Sequence, residues 1–260
     1  GLLGSASRIA DYPMKYQHGD DAGKELKNAE NKGSKTFQTT REALVESTNI
    51  TAYHVYQDLL TNKGSDQFAY DNYLKKMNYP TSNDWGVEAA PLGTTNVSTL
   101  TEVNGFQTLA NNGVYQQGYL IDSITDSTGK EIYKHKDNPV QVYSKATASI
   151  MNDMMRSVIN EQHTTPFKSI LSGVNYPLST ADWVGNDNKP MNDGAGNRTA
   201  TYMAYLAARI YQVNPTIFGE DEKFELSDDV KQIKVSDFTG LKPGKVSHNG
   251  TNYQVPSGET

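Results

Sequence analysis

The sequence predicts an α/β domain, in which helices and short antiparallel hairpins share one chain. Three observations predict it. Apolar residues recur at three-to-four spacing through 98–112 and again through 145–160, the helical period. Two turn signals, Asp126-Ser127-Thr128-Gly129 and Asn249-Gly250, each sit between strand-like runs. Thr39-x-x-Glu42 has the form of a capping box just before an apolar run.

Taken in order, residues 1–38 read as irregular, punctuated by Gly19, Gly23 and Gly33 and by the turn-like step Tyr12-Pro13. From the cap at Thr39, Ala43, Leu44 and Val45 begin a helix that ends near Ser47. A second helical pattern runs through Ala52, Val55, Tyr56 and Leu59 and stops by Gly64. Asp66 to Met77 reads as one short helix, with Pro80 beyond it. Ser98 caps the strongest helix, whose Leu100, Val103, Phe106, Leu109 and Ala110 form its apolar face and whose stop is Gly113. A hairpin follows, Tyr119 to Thr125 returning as Lys130 to Lys134, and then a short strand from Val140 to Tyr143. Lys145 to Asn160 is predicted helical, with Ile150, Met151, Met154, Met155 and Val158 on its buried side. Thr199 to Tyr211 is a further helix. The acidic run from Glu220 to Asp229 changes the character of the chain. The boundary is therefore set at 219, with 220–260 an acidic appendage ending in a hairpin across Asn249-Gly250.

Composition narrows the function. A chain of 260 residues is long enough for one full domain with a small appendage. The mean hydropathy of −0.66 predicts a region in water rather than in a membrane. No run approaches the ~20 apolar residues of a membrane span, and no leader of the charged-then-apolar kind is visible. The net charge of −6, with lysines scattered singly, argues against nucleic acid. Cysteine is absent, which excludes a disulfide framework and a thiolate metal site. Abundant Asn, Thr and Tyr lean toward an exported protein that handles polar polymers.

Most catalytic signatures are missing. His18, His54, His135, His163 and His248 show no i, i+4 pair, so they read as surface or capping residues rather than ligands. There is no G-x-S-x-G elbow, no phosphate loop and no dinucleotide fingerprint. The informative site is Ser47-Thr48-Asn49, between two helical patterns. Within one helix, residues i and i+2 do not share a face. At a break, Ser47 and Asn49 can both enter one cleft. The alternative is structural: short polar side chains also end one helix and cap the next.

The surroundings favour the cleft. Arg41-Glu42-Ala43-Leu44-Val45-Glu46-Ser47-Thr48-Asn49-Ile50-Thr51-Ala52 resembles the R-x-A-L-x-x-S-x-N-I-x-A run of class A (bifunctional) penicillin-binding proteins. Three more blocks agree in order: Asp11-Tyr12-Pro13 with Gly19; Pro91-Leu92-Gly93 with Val97-Ser98 and Gly105 to Gly113; and Ser144-Lys145-Ala146-Thr147-Ala148 with Met151. The resemblance covers about 1–215, and loosely the tail, where it is most similar to the 1b branch of Gram-positive cocci. It implies a penicillin-binding, β-lactamase-like transpeptidase fold, an antiparallel sheet with helices on both sides, incomplete here. It implies a serine acyl-enzyme needing no metal or cofactor, stem peptides of peptidoglycan and β-lactams as partners, and no nucleic acid. It implies a place on the extracellular, cell-wall side of the cytoplasmic membrane, with a membrane-anchored parent and this region outside the bilayer.

Carried over residue by residue, Ser47 relays protons near the leaving amine and Asn49 positions the catalytic lysine and the substrate amide. Thr48 lies along the substrate cleft. The family's S-x-x-K is expected before Gly1. The one such string present, Ser127-Thr128-Gly129-Lys130, falls in a hairpin turn and in the wrong order. No K-T-G or K-S-G occurs, and Pro243 makes Lys242-Pro243-Gly244 a poor substitute because it removes an edge-strand N–H. The third motif is expected after Ser179-Thr180-Ala181-Asp182-Trp183, but Trp183-Val184-Gly185 runs straight into Asn186-Asp187-Asn188. Relative to the family, about 25–30 residues, on the order of two strands, are missing there. An evolved loss of two strands would cost more than the ~5–15 kcal/mol that holds a domain together, so a break in the chain or a defective product is expected instead. By itself the chain is expected to be inactive.

Overall fold

The computed structural model describes residues 3–29, 33–161, 205–206, 208–210, 212–214, 224–248 and 251–255. Strand β1 (Arg8–Asp11) leads to a small antiparallel pair, β2 (Met14–Lys15) and β3 (Glu25–Leu26), before β4 (Thr36–Thr39) returns against β1 with Ile9 opposite Gln38. The expectation of irregular structure over 1–38 is therefore corrected. Its strands are too short and too polar for period-two alternation to stand out in the sequence.

β4 runs directly into helix α1 (Thr40–Val45). The capping box forms as expected: the Glu42 N–H donates to the Thr39 hydroxyl at 3.1 Å, and the Thr39 N–H donates to the Glu42 carboxylate at 2.7 Å. After a three-residue break comes α2 (Asn49–Lys63), which ends on Gly64 at φ +67°, a conformation that a Cβ would disfavour. Ile50 and Tyr53 on α2 meet Leu26 in one core cluster.

The single helix expected from Asp66 to Met77 is two pieces. Helix α3 (Phe68–Asn72) breaks at Tyr73, and a 3₁₀ turn covers Leu74–Met77. The tighter turn brings Met77, 2% exposed, into a second core cluster with Tyr115 and Val142. Helix α4 (Thr99–Ala110) starts on Ser98, whose hydroxyl accepts the Thr101 N–H at 3.1 Å. Its expected apolar face is only partly turned inward, with Val103, Leu109 and Ala110 half-buried. Leu100 and Phe106 are 57% and 49% exposed, while Asn104 and Thr108 are buried. The Thr108 hydroxyl donates to the Asn104 carbonyl at 2.8 Å and the Asn104 side chain accepts the Gly118 N–H, so this polar stripe is satisfied inside.

Beyond Gly113, β5 (Val114–Tyr115) is followed by the hairpin β6 (Ser123–Thr125) and β7 (Glu131–Lys134), then by β8 (Val140–Gln141), which pairs with β5. Helix α5 (Lys145–Glu161) buries Ala148, Ser149, Met154 and Ser157, with Ile150, Met151, Met155 and Val158 half-buried around them. The buried edge of α5 is thus smaller and more polar than expected. Strands β9 (Gly244–His248) and β10 (Thr251–Val255) form the C-terminal hairpin.

Part of the expected appendage packs on the body. The Ser227 N–H donates to Ser149 Oγ at 3.1 Å, and the Arg8 guanidinium donates to the Asp237 carbonyl. Among the described residues the strands pair two by two, so the expected sheet between helical layers is not assembled from them. Trp183-Val184-Gly185, the boundary at 219 and most of the helix expected from Thr199 lie outside the described residues.

Candidate active site at the junction of α1 and α2

The break between α1 and α2 is held by contacts that the sequence does not announce. Ser47 takes φ +55°, the left-handed region, where a non-glycine residue is held at a cost. The Thr48 N–H closes the turn on the Ala43 carbonyl at 3.1 Å. Thr48 itself is 7% exposed, and its hydroxyl bonds inward to the Ala43 carbonyl, the Gln38 side chain and the Thr51 hydroxyl. The Gln38 amide in turn donates to Glu46 at 2.5 Å. These contacts over-determine the turn, which is the condition for a strained residue to persist.

The start of α2 is capped from a distance. Thr48, the residue at the cap position, makes no side-chain bond to the first-turn N–H groups. Instead the Asn28 side-chain oxygen accepts the Ile50 N–H at 3.2 Å, and the Asn28 amide donates to Asp11 Oδ1 at 2.9 Å. Asp11 is fully buried, and its Oδ2 accepts the Ser34 N–H at 2.8 Å. Burial pushes the Asp11 carboxyl up, but the bonds from Asn28 and Ser34, with the His54 charge, outweigh it and hold the group below its ordinary range. Asn49 then donates its amide N–H to the Lys27 carbonyl at 2.8 Å. The chain of contacts from Asp11 through Asn28 fixes Ile50, the residue after Asn49.

A second buried carboxylate anchors the far side of α2. Glu88, 9% exposed, accepts the Gln17 and His18 N–H groups at 2.8 and 2.9 Å, the Tyr53 hydroxyl at 2.8 Å, and His18 Nδ1 at 3.1 Å. Burial opposes its ionisation, yet these donors together hold it below its ordinary range. Burial first, and then Glu88, push the Tyr53 phenol up to about 12.

Ser47, Thr48 and Asn49 all line one cleft of about 570 Å³. Its remaining wall is mostly apolar, drawn from Leu44, Val55, Leu59, Met151 and Met154 among others, with Thr40 and Thr51 beside them. Ser47 is exposed, and among the described residues its hydroxyl has no hydrogen-bond partner. α1 is fixed on α5 by Arg41, which donates to the Asp153 carbonyl at 3.0 Å and to Ser157 Oγ at 2.8 Å and pairs with the Asp153 carboxylate. Ser127, in the rejected S-x-x-K string, sits in the exposed β6–β7 turn, whose Asp126 side chain accepts N–H bonds from Thr128 and Lys130. Sequence reasoning missed Asn28, Gln38 and Glu88. Only Asp11 left a signal, in Asp11-Tyr12-Pro13.

The model of the penicillin-binding protein transpeptidase domain matches residues 1–180. The chain belongs to the penicillin-binding protein transpeptidase domain family. The match ends just before Trp183-Val184-Gly185. Penicillin-binding protein 1A of Clostridium botulinum is 26% identical over 247 residues, covering 86% of this chain and 28% of its own length. Those 247 positions exceed 86% of 260 residues, so that relative carries residues within the aligned span that this chain lacks. Penicillin-binding protein 1F of Bacillus subtilis is 36% identical over 69 residues, 26% of this chain and 10% of its length. The chain therefore spans little more than a quarter of the clostridial relative. In fold it is similar to penicillin-binding protein 1A of Haemophilus influenzae, with a TM-score of 0.72 at 16% identity over 99% of this chain and 46% of that one. It is also similar to the D,D-transpeptidase domain of a peptidoglycan glycosyltransferase from Eggerthella lenta, with a TM-score of 0.55 at 16% identity over 82% of this chain and 61% of that one. Among the described residues, no helix is long and apolar enough to cross a membrane.

Proposed function

We propose that this chain is part of a serine-type D-Ala-D-Ala transpeptidase that cross-links peptidoglycan stem peptides through an acyl-enzyme and is acylated by β-lactams. One observation carries the reading. An exposed serine without a hydrogen-bond partner among the described residues is held in a strained turn on the rim of an apolar cleft, beside Asn49. The left-handed turn is also an ordinary helix stop, with the Ser47 N–H on the Leu44 carbonyl and the Thr48 N–H on the Ala43 carbonyl, so it is the exposed, unpartnered hydroxyl at the cleft beside Asn49 that supports the reading. In this reading Ser47 passes a proton between the nucleophile and the leaving amine, and Asn49 holds the catalytic lysine and the substrate amide. Thr48 contributes to the cleft wall while its hydroxyl braces the turn from inside. The apolar wall is the seat of the segment that brings the nucleophile. The site then lies on the cell-wall side of the membrane, where stem peptides are found.

The absence of a K-T-G or K-S-G string favours one other reading, a non-catalytic relative that binds the wall as a scaffold. Fluorescent penicillin separates the two. Covalent labelling of the longer protein that contains this chain is expected, slowed by about 10²–10⁴-fold in Ser47→Ala, the range of a lost proton-transfer group. Ser47→Gly relieves the left-handed strain, so it is expected to stabilise the fold by about 1 kcal/mol while slowing acylation equally. Reversible wall binding without labelling would favour the scaffold. Labelling of the 260-residue chain alone would place the nucleophile within it and overturn the assignment of the cleft.

A further inference from the structure

Ser47 is held by its neighbours rather than by its own side chain. Its hydroxyl has no hydrogen-bond partner among the described residues, and the backbone bonds at the turn all lead back into α1. Gln38 reaches the turn from a different element. It sits in β4 opposite Ile9 of β1 and is buried. The two ends of its amide bind the two residues that flank Ser47. The amide N–H donates to the Glu46 carboxylate at 2.5 Å. The amide oxygen accepts the Thr48 hydroxyl at 3.3 Å, a bond that Thr48 shares with the Ala43 carbonyl at the same distance. A planar amide carries its donor and its acceptor at a fixed spacing. One side chain therefore ties the residue before Ser47 to the residue after it. Gln38 and Thr48 are both buried, so water does not compete for the bond between them. Glu46 is exposed, but its bond is charge-assisted.

We propose, on the reading of Ser47 as the proton relay, that Gln38 is a positioning residue which sets the Ser47 hydroxyl where the proton has to pass. A hydroxyl that passes a proton must lie within about 2.6–3.2 Å of the group that gives it and of the group that takes it. Such geometry tolerates little error, since a misplacement of about 1 Å can cost about 10²-fold in rate. The Ser47 side chain contributes nothing to holding itself, and its left-handed backbone is the conformation a serine leaves once its neighbours are released. Asn49 has an anchor of its own on the Lys27 carbonyl and does not depend on Gln38. Gln38 does not line the cleft, so it acts only through Glu46 and Thr48. Its loss should therefore fall on the rate of the chemical step and not on the binding of substrate.

The test is acylation of the longer protein that contains this chain by fluorescent penicillin, resolved into a binding constant and an acylation rate constant. Gln38→Glu removes the donor and sets a second carboxylate against Glu46. The rate constant is expected to fall by about 10–100-fold with the binding constant unchanged. Glu46→Gln alone keeps a donor facing an acceptor and should match the wild type. Combined with Gln38→Glu it restores both bonds, because the carboxylate at 38 accepts the amide N–H at 46 and the Thr48 hydroxyl, so the rate should recover. Gln38→Met fills a similar space but makes neither bond, and it should stay slow with either residue at 46. A merely structural Gln38 would lower the fraction of protein that labels and leave the rate constant of that fraction at the wild-type value, which would overturn the proposal. Failure of Glu46→Gln to rescue Gln38→Glu would overturn it too. Ser47→Ala in the same series separates the two readings. If Ser47→Ala is slow and Gln38→Met is not, only the role of Gln38 falls. If Ser47→Ala labels at the wild-type rate, the relay reading falls and takes the role of Gln38 with it.

Discussion

Asp11 tests the structural account of the site most sharply. It is fully buried and joins β1 to the start of α2 through Asn28. Asp11→Ala would leave the Asn28 amide and the Ser34 N–H without an acceptor. Hydrogen bonds to a charged group are worth about 1.5–3 kcal/mol each, so the loss should be about 3–6 kcal/mol. That is a large share of the roughly 5–15 kcal/mol of a typical domain. Asp11→Asn keeps the shape but turns an N–H toward one of the two donors, so about half the loss is expected. Urea unfolding followed by circular dichroism measures both, as a fall in midpoint at unchanged slope. The sign of the pH dependence is fixed as well. The folded Asp11 carboxyl titrates below its ordinary value of 3.8, so its contribution is complete above that value and is lost as pH falls through the folded one. Glu42 and Glu88 are also held low, so the wild-type decline in acid is shared. The difference between wild type and Asp11→Asn isolates the Asp11 part and should vanish at the acid end. A loss under about 1 kcal/mol for Asp11→Ala, or parallel pH curves for wild type and Asp11→Asn, would refute the reasoning.

Glu88→Gln should cost about 2–4 kcal/mol in the same unfolding assay, because two backbone N–H groups and a phenol lose a charged acceptor. It should also bring the Tyr53 phenol down from about 12, part of the way only, since burial is the larger cause; ultraviolet titration of tyrosine reads this directly. Gly64 and Gly113 share a left-handed backbone but not their surroundings. A Cβ at Gly64 meets nothing within 4 Å, so Gly64→Ala should cost only the conformational ~1–2 kcal/mol. A Cβ at Gly113 would collide with the Tyr143 carbonyl oxygen, so Gly113→Ala should cost well over twice as much. Equal shifts in thermal midpoint for the two would contradict the packing of Gly113, just before β5, against Tyr143, just after β8.

The sequence by itself determined the elements that local chemistry dictates. The capping box at Thr39, the cap at Ser98 and the glycine stop at Gly64 use side chains within three or four residues of the groups they satisfy. The S-x-N break was legible for the same reason, and its setting among ordered family blocks pointed to the transpeptidase domain. What escaped was non-local. Which face of α4 turns inward is decided by the groups that β5 and α5 present, so Asn104 and Thr108 are buried and Leu100 and Phe106 are not. Tyr73 breaks a helix because Met77 is needed in a core formed with residues some forty and more positions away. The same holds at the site. Nothing local to Ser47-Thr48-Asn49 states that α2 is capped by Asn28, that Asn28 is fixed by a buried Asp11, or that Thr48 turns its hydroxyl inward while Ser47 keeps its own in the open. Those bonds join residues brought together only when β1, the β3–β4 connection and α2 assemble, and tertiary structure alone decides which side chains then remain free to act.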